Sequence, residues 1–180
     1  MNVEQNIPLE GLVKQVGLCL SNQLSGVLNL PFMCKYFAKK LSPYEAIQKL
    51  DRNYFSFSML SETQSPVLHV LDTQVLYRLT NRILGGEGIA EPRSDHPLFT
   101  FSERIIGQKI IGWVADAFNK NNLHLQLDKI ANGPRYFHLF LPDEKVWQFA
   151  FELYMGSQLA GMYFLCIDRN LEHCGELEQS

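Results

Sequence analysis

Apolar residues between Leu9 and Leu24 recur at helical spacing, with Leu9, Leu12, Val13, Val16, Leu20 and Leu24 on one face. The spacing predicts a long amphipathic helix from about Pro8 to Ser25. Pro8 suits its first turn, where a missing N–H costs nothing, and Gly26 is its expected stop. Pro31 to Ala38 is rich in aromatics and reads as a strand. Lys39 to Glu45 reads as a connector, with Ser42 as the cap and Pro43 as the first residue of a short helix to Leu50. Tyr54 to Leu60 alternates large apolar with small polar residues, the pattern of a half-buried strand. A turn over Ser61 to Pro66 leads to a second short strand, Val67 to Leu71.

Asp72 is placed to cap a helix running to about Leu84, with Val75, Leu76, Leu79 and Ile83 as its core face. Arg78 and Arg82 lie four apart on another face, toward the end where the helix dipole favours cations. Gly85-Gly86-Glu87-Gly88 follows, then a polar, Pro-containing loop to about Leu98. Thr100-Phe101-Ser102-Glu103 is a capping box opening a helix to about Asn119, with Ile106, Ile110, Val114 and Ala117 on one face. Leu123 to Ile130 alternates as a strand up to Asn132-Gly133-Pro134, and Tyr136 to Leu141 is a short strand candidate. Lys145 to Met155 and Gln158 to Ile167 are strands joined by the turn Gly156-Ser157. The tail from Asp168 is polar, and disorder is expected over residues 172–180. Both halves run from a long helix into strands. Lys14-x-x-Gly17 and Lys109-x-x-Gly112 occupy matching places in the two helices, compatible with an old duplication.

Composition narrows the classes. At 180 residues the chain suits one domain, expected over residues 1–171. It is 46% hydrophobic and 19% charged, which excludes global disorder. A net charge of -3 argues against a broadly basic nucleic-acid-binding surface. Lys35, Lys39 and Lys40 make only a small basic run. Cys19, Cys34, Cys166 and Cys174 form no CxxC pair, so neither a disulfide framework nor a zinc site is expected. No apolar run approaches the ~20 residues of a membrane span, and residues 1–6 lack the features of a signal peptide. The expectation is a cytoplasmic domain without direct membrane insertion.

Candidate chemistry is sparse. His69, His96, His124, His138 and His173 include no i, i+4 pair and no HExxH, so no metal is expected. His69 lies in an apolar strand and reads as a hydrogen-bonded or edge residue. There is no Gly-x-Ser-x-Gly and no P-loop; the glycines follow a helix, where the dipole end is negative and repels phosphate. Taken locally, Gly85 to Gly88 reads as a helix cap with a turn. Three glycines exceed what a cap requires, however. Beside Ile83 and Leu84 they leave a second reading open, backbone and apolar surface offered to a partner; Arg78 and Arg82 read most simply as a solvated face, or as groups that steer an acidic partner.

The segment Leu71 to Asn119 resembles the middle domain of the flagellar motor-switch family FliM. The resemblance rests on the capped helix, on Leu84-Gly85-Gly86-Glu87-Gly88, and on Thr100-Phe101-Ser102-Glu103-Arg104-Ile105-Ile106 opening a long helix. The opening helix, Ser42-Pro43-Tyr44-Glu45, Gly156 and Phe164-Leu165-Cys166-Ile167 follow in the family's order. The resemblance implies an α/β fold, a three-layer α/β/α sandwich with an internal pseudo-two-fold, related to the CheC and CheX phosphatases. It implies a non-enzymatic module of the cytoplasmic rotor ring at the inner-membrane face, needing no cofactor. The implied partners are a FliG-like subunit, bound through the glycine loop, copies of the chain itself and a FliN-like protein. Residues 1–6 show no peptide of the kind that captures phosphorylated CheY, and the sequence stops before a FliN-joining domain. A fragment or a short relative is therefore expected.

Two alternatives follow. One is the related ring component of a type III secretion injectisome. The other is a CheC-like phosphatase, which needs an acid and an amide three residues apart on a helix to orient a water. Asn22 is preceded at that spacing by Cys19, and Glu103 is followed by Ile106. Only Asp116 and Asn119 fit, at the wrong end of their helix.

Overall fold

The computed structural model describes residues 8–50, 54–88 and 99–173. The elements are α1 (Leu9–Leu28), β1 (Phe32–Pro43), α2 (Glu45–Gln48), β2 (Tyr54–Ser61), β3 (Pro66–Asp72), α3 (Thr73–Ile83), α4 (Phe101–Asn119), β4 (Leu125–Asn132), β5 (Lys145–Met155) and β6 (Gln158–Asp168). Single 3-10 turns cover Pro134–Tyr136 and Arg169–His173. The second lies in the stretch read as tail; residues 174–180 and the loop over 89–98 lie outside the described residues.

All six strands form one sheet in the order β1-β5-β6-β3-β2-β4, every pair antiparallel. Strand side chains alternate between faces. On β3, Val67 and Leu71 point to one side and Leu68 and Val70 to the other. The first side is the main core, where α1, α3 and α4 bury Val13, Val16, Leu20, Leu76, Ile110 and Val114 against Phe55, Phe57, Phe149 and Phe151. The second side holds a smaller core of Tyr44, Ile47, Tyr54, Leu68, Val70, Phe137, Val146 and Cys166. Helices thus lie on both faces, as the three-layer expectation requires. The outer layer on the second face is thin, built from α2 and residues 134–140.

That thin layer replaces an expected strand. Residues 136–141 join no ladder. Pro134 and Pro142 lack donors, and the Phe137 carbonyl accepts from Tyr44 Oη and Gln48 Nε2, both at 2.8 Å. Phe137 is buried instead as a plug under α2. Other boundaries shift for similar reasons. β5 supplies partners as far as Lys145, so β1 continues through the expected connector to Pro43, with a bulge at Phe37. α2 shrinks to four residues and has no side-chain cap. α1 passes Gly26, which is exposed, and ends at Asn29 in the left-handed region (φ 49°, ψ 42°), a conformation Asn tolerates. β2, expected to be half-buried, is covered on both faces; Ser56 and Ser58 are fully buried.

The sheet order maps onto itself when β1, β2 and β3 are exchanged for β4, β5 and β6. The pseudo-two-fold therefore passes between β3 and β6. Gly17 of α1 sits where an added Cβ would lie 2.8 Å from Phe151 on β5; Gly107 of α4 would meet Phe55 on β2 at 2.6 Å. β2 and β5 are exchange partners, so each helix is seated on the other half's strand through a glycine. Counting from those glycines, buried Val13, Val16, Leu20 and Leu24 match Glu103, Ile106, Ile110 and Val114. The equivalent of Gly17 is thus Gly107, not Gly112, which is exposed with open space around it. His69 and Tyr163, on the two strands flanking the axis, are hydrogen-bonded at 2.6 Å (His69 Nδ1 to Tyr163 Oη).

Candidate functional site

The glycine loop is built from α3 outward. Asp72 Oδ1 accepts from the Gln74 N–H at 3.0 Å and fixes the helix start, as its position predicts. Val75, Leu76, Leu79 and Thr80 are buried; Ile83, expected in the core face, is 36% exposed. At the C-terminus the Gly86 N–H donates to the Asn81 carbonyl at 2.8 Å and the Gly85 N–H to the Arg82 carbonyl at 3.1 Å. This pair of bonds is a Schellman cap with Gly85 at the left-handed position (φ +95°).

The other two glycines answer to packing. A Cβ on Gly86 would collide with the Asn81 side chain, whose Oδ1 accepts from the Gly88 N–H at 3.0 Å. Gly88 (φ +74°) is buried, and a Cβ there would lie 2.6 Å from Met155 Cε. Asn81 thus ties the loop at two points and Met155 floors it. Neither was picked out in the sequence. An Asn five residues before the second glycine was the available signal, but the role of Met155 depends on the far end of β5.

The eight predicted residues come together as follows. Leu84 is 72% exposed, and Gly85 and Glu87 are exposed beside it. Gly86 is half-buried, and Gly88 is turned inward, so it offers no surface. Arg78 and Arg82 are half-buried at the flank. Arg78 Nη1 reaches the Leu159 carbonyl of β6 at 3.5 Å, while its Nε is buried with no hydrogen-bond partner among the described residues. The surface is an apolar knob, Leu84 with Ile83, on a tightly bonded loop with two guanidinium groups alongside.

The remaining candidates scatter. His69 is fully buried, stacked on Phe57 at 4.4 Å and edge-on to Phe118; burial pushes its pKa down to about 3, so it is neutral. It lies in a central strand and is hydrogen-bonded, the first of the two readings. Its Nε2 has no hydrogen-bond partner among the described residues. Cys34 and Cys166 are buried, and burial raises both thiols, Cys166 to about 12. Cys19 is part-buried, with its thiol also raised by burial. Asp116 and Asn119 are exposed at the end of α4, but Asn119 Oδ1 accepts from the Leu125 N–H at 3.3 Å. No group of three or more metal-ligating side chains occurs among the described residues, and no described helix is long and apolar enough to cross a membrane. His96 and Cys174 lie outside the described residues.

The fold is the one shared by FliM middle domains and CheC-like proteins. The structure is similar to the FliM middle domain from H. pylori (TM-score 0.77, 12% identity, covering 100% of each chain). It is likewise similar to a chain of the FliG-FliM complex from H. pylori (TM-score 0.75, 14% identity, 93% of this chain and 94% of that one). A CheC-like superfamily protein from Shewanella matches more loosely, with a TM-score of 0.53 at 12% identity over 93% and 99% of the two chains. No protein-family model and no curated protein matches the sequence.

Proposed function

We propose that this chain is a non-enzymatic assembly module of a flagellar rotor switch. In this reading it binds a FliG-like subunit through Ile83 to Gly88, with Arg78 and Arg82 alongside, and packs against its own copies in a cytoplasmic ring. The observation that carries the reading is the exposed Leu84–Ile83 knob on a loop whose N–H groups at Leu84, Gly85, Gly86 and Gly88 are bonded back to α3. Such a loop holds its apolar surface in a fixed shape, which favours a preformed protein contact over chemistry. The fold likeness to a chain of a FliG-FliM complex supports it. The enzymatic alternative is weakened because Asn119 Oδ1 already accepts from the Leu125 N–H at the start of β4. No feature of the molecule favours the injectisome ring over the flagellar one.

The test is a calorimetric titration of the full chain with the FliG-type middle domain of the same organism, run beside Leu84→Asp. This substitution is cleaner than Gly86→Asp, which would displace Asn81 and reshape the loop. Leu84 is mostly exposed, so the variant keeps its melting temperature within about 2 °C. Partner affinity falls at least tenfold. Equal binding by the variant overturns the assignment of the loop.

A further inference from the structure

The two edges of the sheet are finished differently. On β1 the Phe32 N–H donates to Ser25 Oγ at 2.9 Å and the Cys34 N–H to Ser21 Oγ at 2.8 Å, so α1 closes the start of that edge. The lysines Lys35, Lys39 and Lys40 disfavour strand addition along the rest of β1, whereas a bulge is common to both edges, at Phe37 on β1 and at Asp128 on β4. On β4 the Leu125 N–H alone is closed among the described residues, by Asn119 Oδ1. From Gln126 to Ile130 every residue is exposed, no side chain or loop among the described residues bonds the outer edge, and Leu127 (48%) and Ile130 (41%) present apolar surface. Beside this stretch lies a groove of about 340 Å³ lined by Leu60, Glu62, His124, Gln126, Leu127 and Asp128, among others. Its two carboxylates make no ion pair with any described cation. Among the described residues Asp128 accepts only from Ser58 Oγ, at 3.2 Å, and the neighbouring Lys129 points its ammonium to the Tyr136 carbonyl at 2.6 Å.

We infer that the β4 edge is a second docking surface, which takes an extended segment of a partner protein as a seventh strand and an Arg or Lys of that segment in the Glu62–Asp128 groove. Backbone pairing supplies the affinity. The groove supplies the choice, because two unpaired carboxylates select a cation and reject an acidic segment. The site is distinct from the glycine loop: it lies at the end of the sheet beyond β2, whereas the loop packs on Met155 at the end of β5.

The probe is the blocked peptide acetyl-Thr-Val-Arg-Val-Thr-Val-amide, titrated into isotope-labelled full chain and followed by amide chemical shifts. Two twins are run beside it, one with Glu for Arg and one with alternate amides N-methylated. Shifts are expected over Gln126–Ile130 and in the Glu62 turn, with the Glu twin at least fivefold weaker and the N-methylated twin silent. Glu62→Gln with Asp128→Asn weakens the Arg peptide at least fivefold and brings the Glu twin level with it. Asn at 128 still accepts from Ser58, so the fold is spared. Shifts along β1, equal binding by the N-methylated twin, indifference to the double variant, or no binding at millimolar peptide each overturn the inference. Leu84→Asp leaves this binding unchanged, which separates it from the glycine-loop reading.

Discussion

The seam between the two halves and the glycine loop use the same residue type for opposite ends. At the seam Gly17 and Gly107 are buried, and their missing Cβ atoms let two helices settle onto Phe151 and Phe55. In the loop Gly85 and Gly88 are needed for positive φ, and the chain folds back on Asn81 and Met155 so that Leu84 is left outside. The seam glycines buy contact between layers; the loop glycines shape a surface. The difference teaches that a glycine's role is set by what faces it, which neighbouring residues do not reveal.

The largest effect that would sharpen this contrast comes from filling a seam seat. Gly107→Leu drives a side chain into Phe55 and costs about 3 kcal/mol in denaturant unfolding. An equal result for Gly112→Leu, five residues on in open space, would break the comparison. Next comes the acid limb. His69 is held neutral with a pKa near 3, against about 6.5 in an unfolded chain. The unfolded state therefore binds the extra proton between those values, and stability falls as pH drops below 6.5. The contribution is about 1.4 kcal/mol for each pH unit, roughly 2 kcal/mol at pH 5. Urea midpoints at pH 7 and pH 5 measure it, and His69→Phe flattens that part of the slope. The smallest effect is in the loop. Gly85→Ala must adopt a positive φ and loses about 1 kcal/mol, whereas Gly112→Ala gains about as much from helix propensity. Thermal melts of the pair, with opposite signs, check it.

Local signals carried much of the fold into the sequence reading. The Asp72 cap, the Thr100–Glu103 box and the Gly156-Ser157 hairpin lie where their chemistry predicts. Each depends on residues within a few positions of one another, so spacing suffices to find it. The misplaced elements depend on distant partners. β1 is long because β5 is long, and residues 136–141 fail as a strand because Tyr44 and Gln48 claim the Phe137 carbonyl. The candidate site divides in the same way. The cap at Gly85 and the exposed Leu84 could be read from the end of a helical pattern. The inward turn of Gly88 could not, since the floor it is seated on is Met155, at the far end of β5.

By itself the sequence determined the alternation of helix and strand, the caps, the hairpin and the apolar faces, because propensity, capping and hydrophobic period act over one or two turns of chain. Only the tertiary structure decided that β5 and β6 insert between β1 and β3, that Gly107 rather than Gly112 answers Gly17, and that His69 meets Tyr163 across the axis. These are choices among residues roughly 90 or more positions apart. What made them was burial of aromatic surface against a helix that could approach closely enough, a fit between whole layers that no local stretch of sequence encodes.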